Sequence, residues 1–571
     1  MDKEWIRLLG GISNYRKTDK FSTDYDARSR FKKDFDKIVN SASFRRLQDK
    51  AQIFPIEKND FSRRRLTHSI EAMAIAESIG LYLADLIIKQ DQLVDSDEIK
   101  LINDIPMILK SACLIHDLGN PPFGHITEKI LSIYFLENKD TLCIDNNLQL
   151  HNGRCGEDCF KISELLGIYY EDFVNFDGNA QSLRIVDKLS PAGSIIENRK
   201  YGMDLSQVLL ATIIKYPLKW KKEGKSKKLP FFRSEIKKYN SIQSELRLND
   251  SRHPLTYILE TADDIAYHIS DLQDSIKKKL VTIEDLVYEL EDIQHTSDDD
   301  LTVSKVLSLI ERAKSDYKDT YNGGLTNESY DDFVFEEIRG YLCGYLIEEA
   351  QNELSNKNTY NMLKNNKFDK ETLLHKNSNL FYALSNILRK KVYYCDDILK
   401  SKIRATAVIN TLIEFYLKSI FNYDKSKNSK NEDIYSLGYL SISKSLRDVC
   451  NDAINNTDKF AAIDKIDEVY LKIKKEIINN KYRIESILSS KNKGLISVFY
   501  QGVEYLLGPK EYEYFNQSLI QKHELDRTLK KIDFQRKYSH EIYCKIQLAI
   551  DHVTGMTDNY ALARYNEIMA I

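Results

Sequence analysis

Residues 105–118, Ile105 to Leu118, form a mostly apolar run that ends against Gly119-Asn120-Pro121-Pro122. No regular helix continues through that point. Proline removes a backbone donor and clashes with the preceding turn, and glycine favours a left-handed cap. The chain is therefore committed to a helix, a sharp bend, and a second helix restarting near His125. Elsewhere the pattern is again helical. Residues 66–90 place Ile70, Ala74, Ile75, Ile79, Leu83, Leu86 and Ile87 at helical spacing. Only 21 Gly and 9 Pro in 571 residues leave few turns for a β-rich chain. The expected fold class is all-α, a helical core with at most a small β-hairpin, extended by further helices in the second half.

Other segments fit that frame. Residues 24–50 read as helical, and Ala51 to Phe54 as a short strand before Pro55. Residues 180–189, 205–215 and 255–278 read as helices. A basic loop runs over 219–228, and polar breaks fall at 322–324, 355–358 and 425–432. The charged fraction of 30% and hydrophobic fraction of 42% describe an ordinary globular chain rather than a disordered one. A net charge of -3 argues against a dedicated nucleic-acid coat and leaves room for local basic patches. No stretch approaches the about 20 apolar residues of a membrane span, and the charged start Met1-Asp2-Lys3-Glu4-Trp5 is not a signal peptide. The eight Cys are mostly isolated, which suits reduced thiols and a cytoplasmic location.

The bend also carries chemistry. His116 and Asp117 are metal-type ligands at a helix C-terminus, where the partial negative charge favours a cation. Two ligands bind weakly, so others must come from elsewhere. His68 is a candidate third. The arginines beside it, Arg63 to Arg65, form an anion-binding cluster suited to phosphate. A carboxylate from 260–271 is the candidate fourth. Asp263, Tyr267 and Asp271 share one helical face, whereas Asp264 shares its face with His268. Across the bend, His125 and Glu128 stand three residues apart at a helix start, a spacing that lets a carboxylate orient an imidazole for proton transfer. Free N–H groups there also suit phosphate oxygens.

Three ordered stretches, Arg65-Leu66-Thr67-His68, His116 through His125, and Ala262-Asp263-Asp264-Ile265-Ala266-Tyr267, resemble the HD-superfamily deoxynucleoside triphosphate triphosphohydrolases, bacterial dGTPases above all. Phe44-Arg45-Arg46-Leu47-Gln48, Asn179 to Ile185, Lys215-Tyr216-Pro217, Arg252-His253-Pro254 and Gly555-Met556-Thr557-Asp558 extend the match. The resemblance implies an HD-domain core that splits a dNTP, dGTP as the favoured guess, into deoxynucleoside and triphosphate. It implies His68, His116, Asp117 and Asp263 as metal ligands and His125 with Glu128 as the catalytic pair. Gln52, Ile53, Arg65, Lys215, Tyr216, Tyr267 and Asp271 become substrate-contacting positions, with Gln52 and Ile53 against the deoxyribose. The implied cofactor is a divalent ion, manganese or magnesium first, with cobalt, iron or zinc also compatible. The implied partners are a dNTP, copies of the chain in a homo-oligomer (hexamer, tetramer or dimer), and a nucleotide or single-stranded DNA effector, with no membrane. The expected domains are an HD phosphohydrolase core at 1–280, a helical extension at 281–540 and a C-terminal segment at 541–571 returning to the core.

Two other readings share some of these features: an HD phosphohydrolase acting on signalling nucleotides, and a catalytically weak helical protein that binds nucleic acid through the basic loop. His151, Cys155 and Cys159, with Cys143, also have a spacing from which a zinc site can be built, although no tight Cys-x2-Cys is present.

Overall fold

A computed structural model describes residues 4–11, 26, 28–55, 61–153, 159–190, 202–224, 226, 228–296, 301–321, 327–368, 370, 372–374, 378–423, 434–455, 484–489, 496–500, 503–507 and 522–570. Cys155, parts of the basic loop and the polar breaks at 322–324 and 425–432 lie outside them. The chain divides into two compact units, one built from 1–133, 172–412 and 553–571, the other from 134–171 and 413–552. The division expected near residue 280 is a different one. Helix Pro254–Lys277 packs against helix Asn327–Ser355, so the first unit's core continues past that point.

The centre of the first unit is the helix Arg65–Gln90. It packs against Ile105–Ile115 on one side and Pro254–Lys277 on another. Its buried stripe is His68, Ala72, Ile75, Ala76, Ile79, Leu83 and Ile87. Ile70 and Ala74, expected on the apolar face, are exposed instead. The stripe is anchored on His68, so positions two and six residues further along turn outward. The expected helix at 105–118 is regular over Ile105–Ile115 and then winds into turns, with Leu118 N donating to Ile115 O and Asn120 N to Asp117 O. The expected strand at 51–54 is reduced to one bridge, Ala51 with Arg64.

The helix Pro254–Lys277 starts at His253, whose Nδ1 accepts from Leu255 N at 3.2 Å, with Pro254 in the first turn where it needs no donor. Burial pulls the His253 imidazole down to about 4, so it stays neutral and its Nε2 donates to Leu8 O at 3.0 Å. The helix expected at 205–215 covers only Gln207–Thr212. Beyond it, the buried Arg252 guanidinium takes the carbonyl of Lys215, which holds that segment out of helix. The helix expected at 180–189 runs over Gly178–Arg184 and continues as a π turn to Leu189.

In the second unit, Leu142–Asp145 forms the middle strand of an antiparallel sheet, between Leu150–Asn152 and Cys159–Lys161. A second antiparallel sheet comprises Ile484–Ser489, Ile496–Tyr500 and Val503–Leu507. The all-α expectation therefore holds, with two three-stranded sheets in place of one hairpin. Cys143 pairs with His151 across the strands and Asp145 with Cys159. Cys143 is disulfide-bonded, whereas Cys113, Cys159, Cys343, Cys395, Cys450 and Cys544 are free. His151 is engaged by Asp145 at 3.1 Å.

Gly119 is fixed by close approach: a Cβ there would overlap Gly178 O and Ser182 N, both backbone atoms. Gly119→Ala should therefore destabilise the protein by about 1–3 kcal/mol. Gly340, inside helix Asn327–Ser355 with open space around its Cβ position, should respond in the opposite sense, Gly340→Ala stabilising by roughly 0.5–1 kcal/mol. Thermal midpoints of the two variants should move in opposite directions by scanning fluorimetry.

Candidate active site

Three elements of the first unit meet at the Asp263 carboxylate. His68 comes from helix Arg65–Gln90, His116 from the C-terminus of helix Ile105–Ile115, and Asp263 from helix Pro254–Lys277. Asp263 Oδ1 lies 2.9 Å from His68 Nε2 and 3.3 Å from His116 Nε2. The candidate ligand atoms of these three residues all fall within 4.8 Å of one another. Asp117, the fourth expected ligand, is not part of that three-residue cluster; its Oδ1 stands 3.4 Å from His116 Nε2.

The donor set fits a divalent cation. His116 Nδ1 donates to Cys113 O at 2.7 Å, which leaves Nε2 facing the two carboxylates. That Nε2 is buried and has no hydrogen-bond partner among the described residues. Burial pulls the His116 imidazole down, but Asp117 and Asp263 outweigh it and hold it up to about 9. A metal ion competes with that proton for the same nitrogen. Asp117 is oriented from two sides, by Asn120 Nδ2 at 2.5 Å and Arg65 Nη1 at 2.5 Å. Burial pushes the Asp263 carboxyl up, while Lys215 and His116 more than offset it and hold it well below the usual range.

Cations line the same site. Lys215 Nζ sits 3.0 Å from Asp263 Oδ2 and 2.6 Å from Glu260 Oε1. Burial lowers this ammonium, and the two carboxylates raise it well above its ordinary value, so it stays charged. Arg65 is buried and reaches the bend that carries His125. A Cβ on Gly124 would lie 2.8 Å from Arg65 Nη2, and Gly124 has φ +67. Glycine suits both the close approach and the left-handed backbone. Phe123 beside it also has φ +63, a cost that only the surrounding contacts sustain.

His125 opens the helix His125–Glu137 with 65% of its side chain exposed. Its Nδ1 is 3.0 Å from Glu128 Oε2, and Glu128 Oε1 accepts from Gly178 N at 2.9 Å. Burial raises the Glu128 carboxyl, and the His125 contact holds it below the ordinary value nonetheless. A buried, doubly held carboxylate thus fixes one nitrogen of an exposed imidazole.

Tyr267 and Asp271 lie one turn apart on helix Pro254–Lys277, and burial pushes the Tyr267 hydroxyl well up. Burial pushes the Asp271 carboxyl well up, and nearby Asp274 adds to it, which favours the neutral acid. Gln52 follows the Ala51–Arg64 bridge, its N–H reaching Arg63 O at 3.4 Å, with Ile53 half-buried beside it. The half-buried ring of Tyr216 has Lys228 Nζ 4.9 Å from its centroid. Lys228 belongs to the basic loop and keeps 43% of its side chain exposed. It pairs with the buried Asp177 at 3.5 Å and adds positive potential at Glu128. Lys222 of the same loop meets Asp250 at 3.1 Å on the surface.

Every site residue expected from the sequence lies in the first unit. The metal-type ligands, Arg65 and Lys215 form one contact network. His125 and Glu128 connect to it through Arg65 and the bend rather than by direct hydrogen bonds. Gln52 Oε1, Arg65 Nε, His68 Nδ1, His116 Nε2 and Asp271 Oδ2 are buried without hydrogen-bond partners among the described residues. Buried polar atoms are rarely left so, and these five all belong to residues expected at the site.

An HD domain model matches residues 65–154, the stretch that holds His68, the bend and His125. A deoxyguanosinetriphosphate triphosphohydrolase-like protein of Listeria innocua is 34% identical over 429 residues, covering 74% of this chain and 85% of the relative. The chain belongs to this family of HD-domain proteins. A protein of the same description from Listeria monocytogenes matches to the same extent. A deoxyguanosinetriphosphate triphosphohydrolase of Serratia proteamaculans is 29% identical over 417 residues, covering 69% of this chain and 77% of the relative. No described helix is long and apolar enough to cross a membrane.

Removing a first ligand should cost more than removing the residue that orients one. Asn120→Ala should weaken Mn2+ binding by roughly 10–100-fold, and His116→Ala should weaken it further. Isothermal titration with Mn2+ alone measures both, and an unchanged affinity in His116→Ala would place the ion elsewhere.

Proposed function

We propose that this protein hydrolyses deoxynucleoside triphosphates, dGTP first among them, to a deoxynucleoside and inorganic triphosphate. The observation that carries the reading is the buried His68–His116–Asp263 cluster flanked by Arg65 and Lys215, with unpartnered polar atoms turned among them. Carboxylates and imidazoles call for a cation, and paired cations beside them call for a polyanion. The names of the Listeria and Serratia relatives supply the guanine preference and the products.

A divalent cation held by His68, His116, Asp117 and Asp263, manganese or magnesium first, would supply Lewis acidity at a phosphate oxygen and favour ionisation of a water. Arg65 and Lys215 offset the charge of the triphosphate and of the transition state. Water attacks the α-phosphorus and the bond to the 5′ oxygen breaks, that oxygen leaving with the electron pair. His125, oriented through Nδ1 by Glu128, moves a proton in this step through its other nitrogen. Triphosphate departs whole because the broken bond lies on the sugar side of the α-phosphate.

The remaining residues select the nucleoside. Asp271, which burial shifts toward the neutral acid, and the Tyr267 hydroxyl suit a sugar hydroxyl, with which each can both donate and accept. Gln52 and Ile53 pack against the deoxyribose, where a 2′-hydroxyl would be crowded. Tyr216 contributes to the sugar or base pocket, and Lys228 above its ring adds positive charge near the catalytic pair. In our reading the active form is a cytoplasmic homo-oligomer that responds to a nucleotide or single-stranded DNA effector.

A matrix of Mn2+, Mg2+ and Co2+ against the four dNTPs, with product separation, tests this. The expected products are deoxynucleoside and intact triphosphate, with dGTP turned over fastest. Release of single phosphate, or cleavage of a phosphodiester in their place, would overturn the reading. His125→Ala should lower kcat about 100–10,000-fold while leaving Mn2+ affinity unchanged.

A further inference from the structure

The bend that carries His125 and the segment that carries Gln52 are distant in sequence, yet both are held by the C-terminal end of the chain. Asp558 opens the helix Asp558–Met569 and is buried. Its Oδ1 accepts from Phe123 N at 2.9 Å, and its Oδ2 accepts from Ala51 N at 3.0 Å. One carboxylate therefore grips the residue two before His125 and the residue immediately before Gln52. Lys50 makes the reciprocal connection. Its buried Nζ donates to Asn120 O at 2.5 Å and to Thr554 O at 3.1 Å, while its own carbonyl accepts from Arg65 N at 2.9 Å. Asn120 in turn orients Asp117.

These four side-chain bonds tie three strips of backbone together, at 50–51, 120–123 and 554–558. A helix cap alone would need none of them. Thr557 already caps the last helix through Tyr560 N. Both residues are buried and spend their side chains on main-chain groups, an arrangement that fixes backbone position rather than binding a partner. The gripped Phe123 has φ +63, a conformation that needs external support.

We propose that Asp558 and Lys50 form a positioning clamp through which the C-terminal segment sets the His125 bend and the Gln52 segment in register with the metal ligands. Asp558 acts through the backbone of its neighbours and touches no reacting atom. Asp558→Asn keeps the size of the side chain but replaces one acceptor with a donor, so one of the two N–H groups must lose its bond. The defect falls on alignment, and misalignment of a catalytic group lowers turnover more than binding.

The kinetic arm of the test rests on the dNTP reading; an exchange arm does not. With dGTP and Mn2+, Asp558→Asn should lower kcat by about 100-fold, with KM within about twofold. Hydrogen exchange of the whole chain without substrate should show the amides of Ala51 and Phe123 speeding up by about tenfold in the variant. Asn559→Ala is the control. It removes the Asn559 Nδ2 bond to Asp49 Oδ1 at 2.6 Å, at the same helix start but outside the clamp. It should leave kcat and both amides as in the wild type. Should Asp558→Asn prove insoluble, Lys50→Met removes the other half of the clamp and takes its place in both arms. A kcat within about twofold of wild type in the clamp variant, or an equal loss in Asn559→Ala, overturns the clamp. If the wild type turns over no dNTP while the two amides still respond to Asp558→Asn, the substrate reading fails and the clamp stands.

Discussion

The Asp263 carboxylate is the point on which the first unit is organised. A buried carboxylate without partners would be neutral, because desolvation penalises its charge by far more than folding can supply. It stays ionised here because Lys215, His116 and His68 converge on its two oxygens. Those partners come from separate elements, so the requirement to satisfy one acid fixes the mutual placement of helices Arg65–Gln90, Ile105–Ile115 and Pro254–Lys277. The apolar stripe around His68 supplies the burial, and the ionic contacts supply the register. Neither suffices alone: greasy helices can slide, and an exposed ion pair is worth little.

Balance extends outward from that centre. Lys215 is shared between Asp263 and Glu260, and Arg252 stands 3.7 Å from Glu260 while holding the Lys215 carbonyl. Arg65 answers Asp117. The cations that compensate the acids in the protein alone are the ones that face an incoming anion. A divalent ion entering among the acids would relieve Lys215 and Arg65 of part of that duty and release their charge for phosphate oxygens. In this view cation and polyanion binding support each other by electrostatics, without a change of fold.

Much of this could be read from the residues in order. The bend at Gly119–Gly124 was dictated by glycine and proline chemistry, and the His-Asp pair before it by residue type. Helical geometry grouped Asp263, Tyr267 and Asp271, and the structure sets Asp263 against both histidines. Periodicity misplaced Ile70 and Ala74 because the pattern was counted on apolar residues alone, and the buried stripe of that helix includes a histidine. Lys228 in the basic loop and Asp558 in the matching Gly555-Asp558 stretch were given no role at the site, for a common reason. Each depends on a contact far along the chain, Lys228 with Asp177 and Asp558 with residues more than 400 positions earlier. No local period encodes such a pairing. The strands at 142–161 were equally hidden, being only three or four residues each.

The site also divides its labour by burial. His68, His116, Asp117 and Arg65 are almost wholly enclosed and Asp263 keeps 23% of its side chain exposed, whereas His125 is largely exposed and held at one nitrogen only. A cation needs fixed donors, because ligands that must be reorganised on binding weaken it. A proton-transfer group needs access to solvent on one side and a defined direction on the other. Glu128, buried and tied to Gly178 N, gives the direction without enclosing the ring. The bend satisfies both demands by changing environment within a few residues, from Asn120 at the buried ligand Asp117 to His125 at the surface. Its left-handed backbone at Phe123 and Gly124 is the cost of making that change so abruptly.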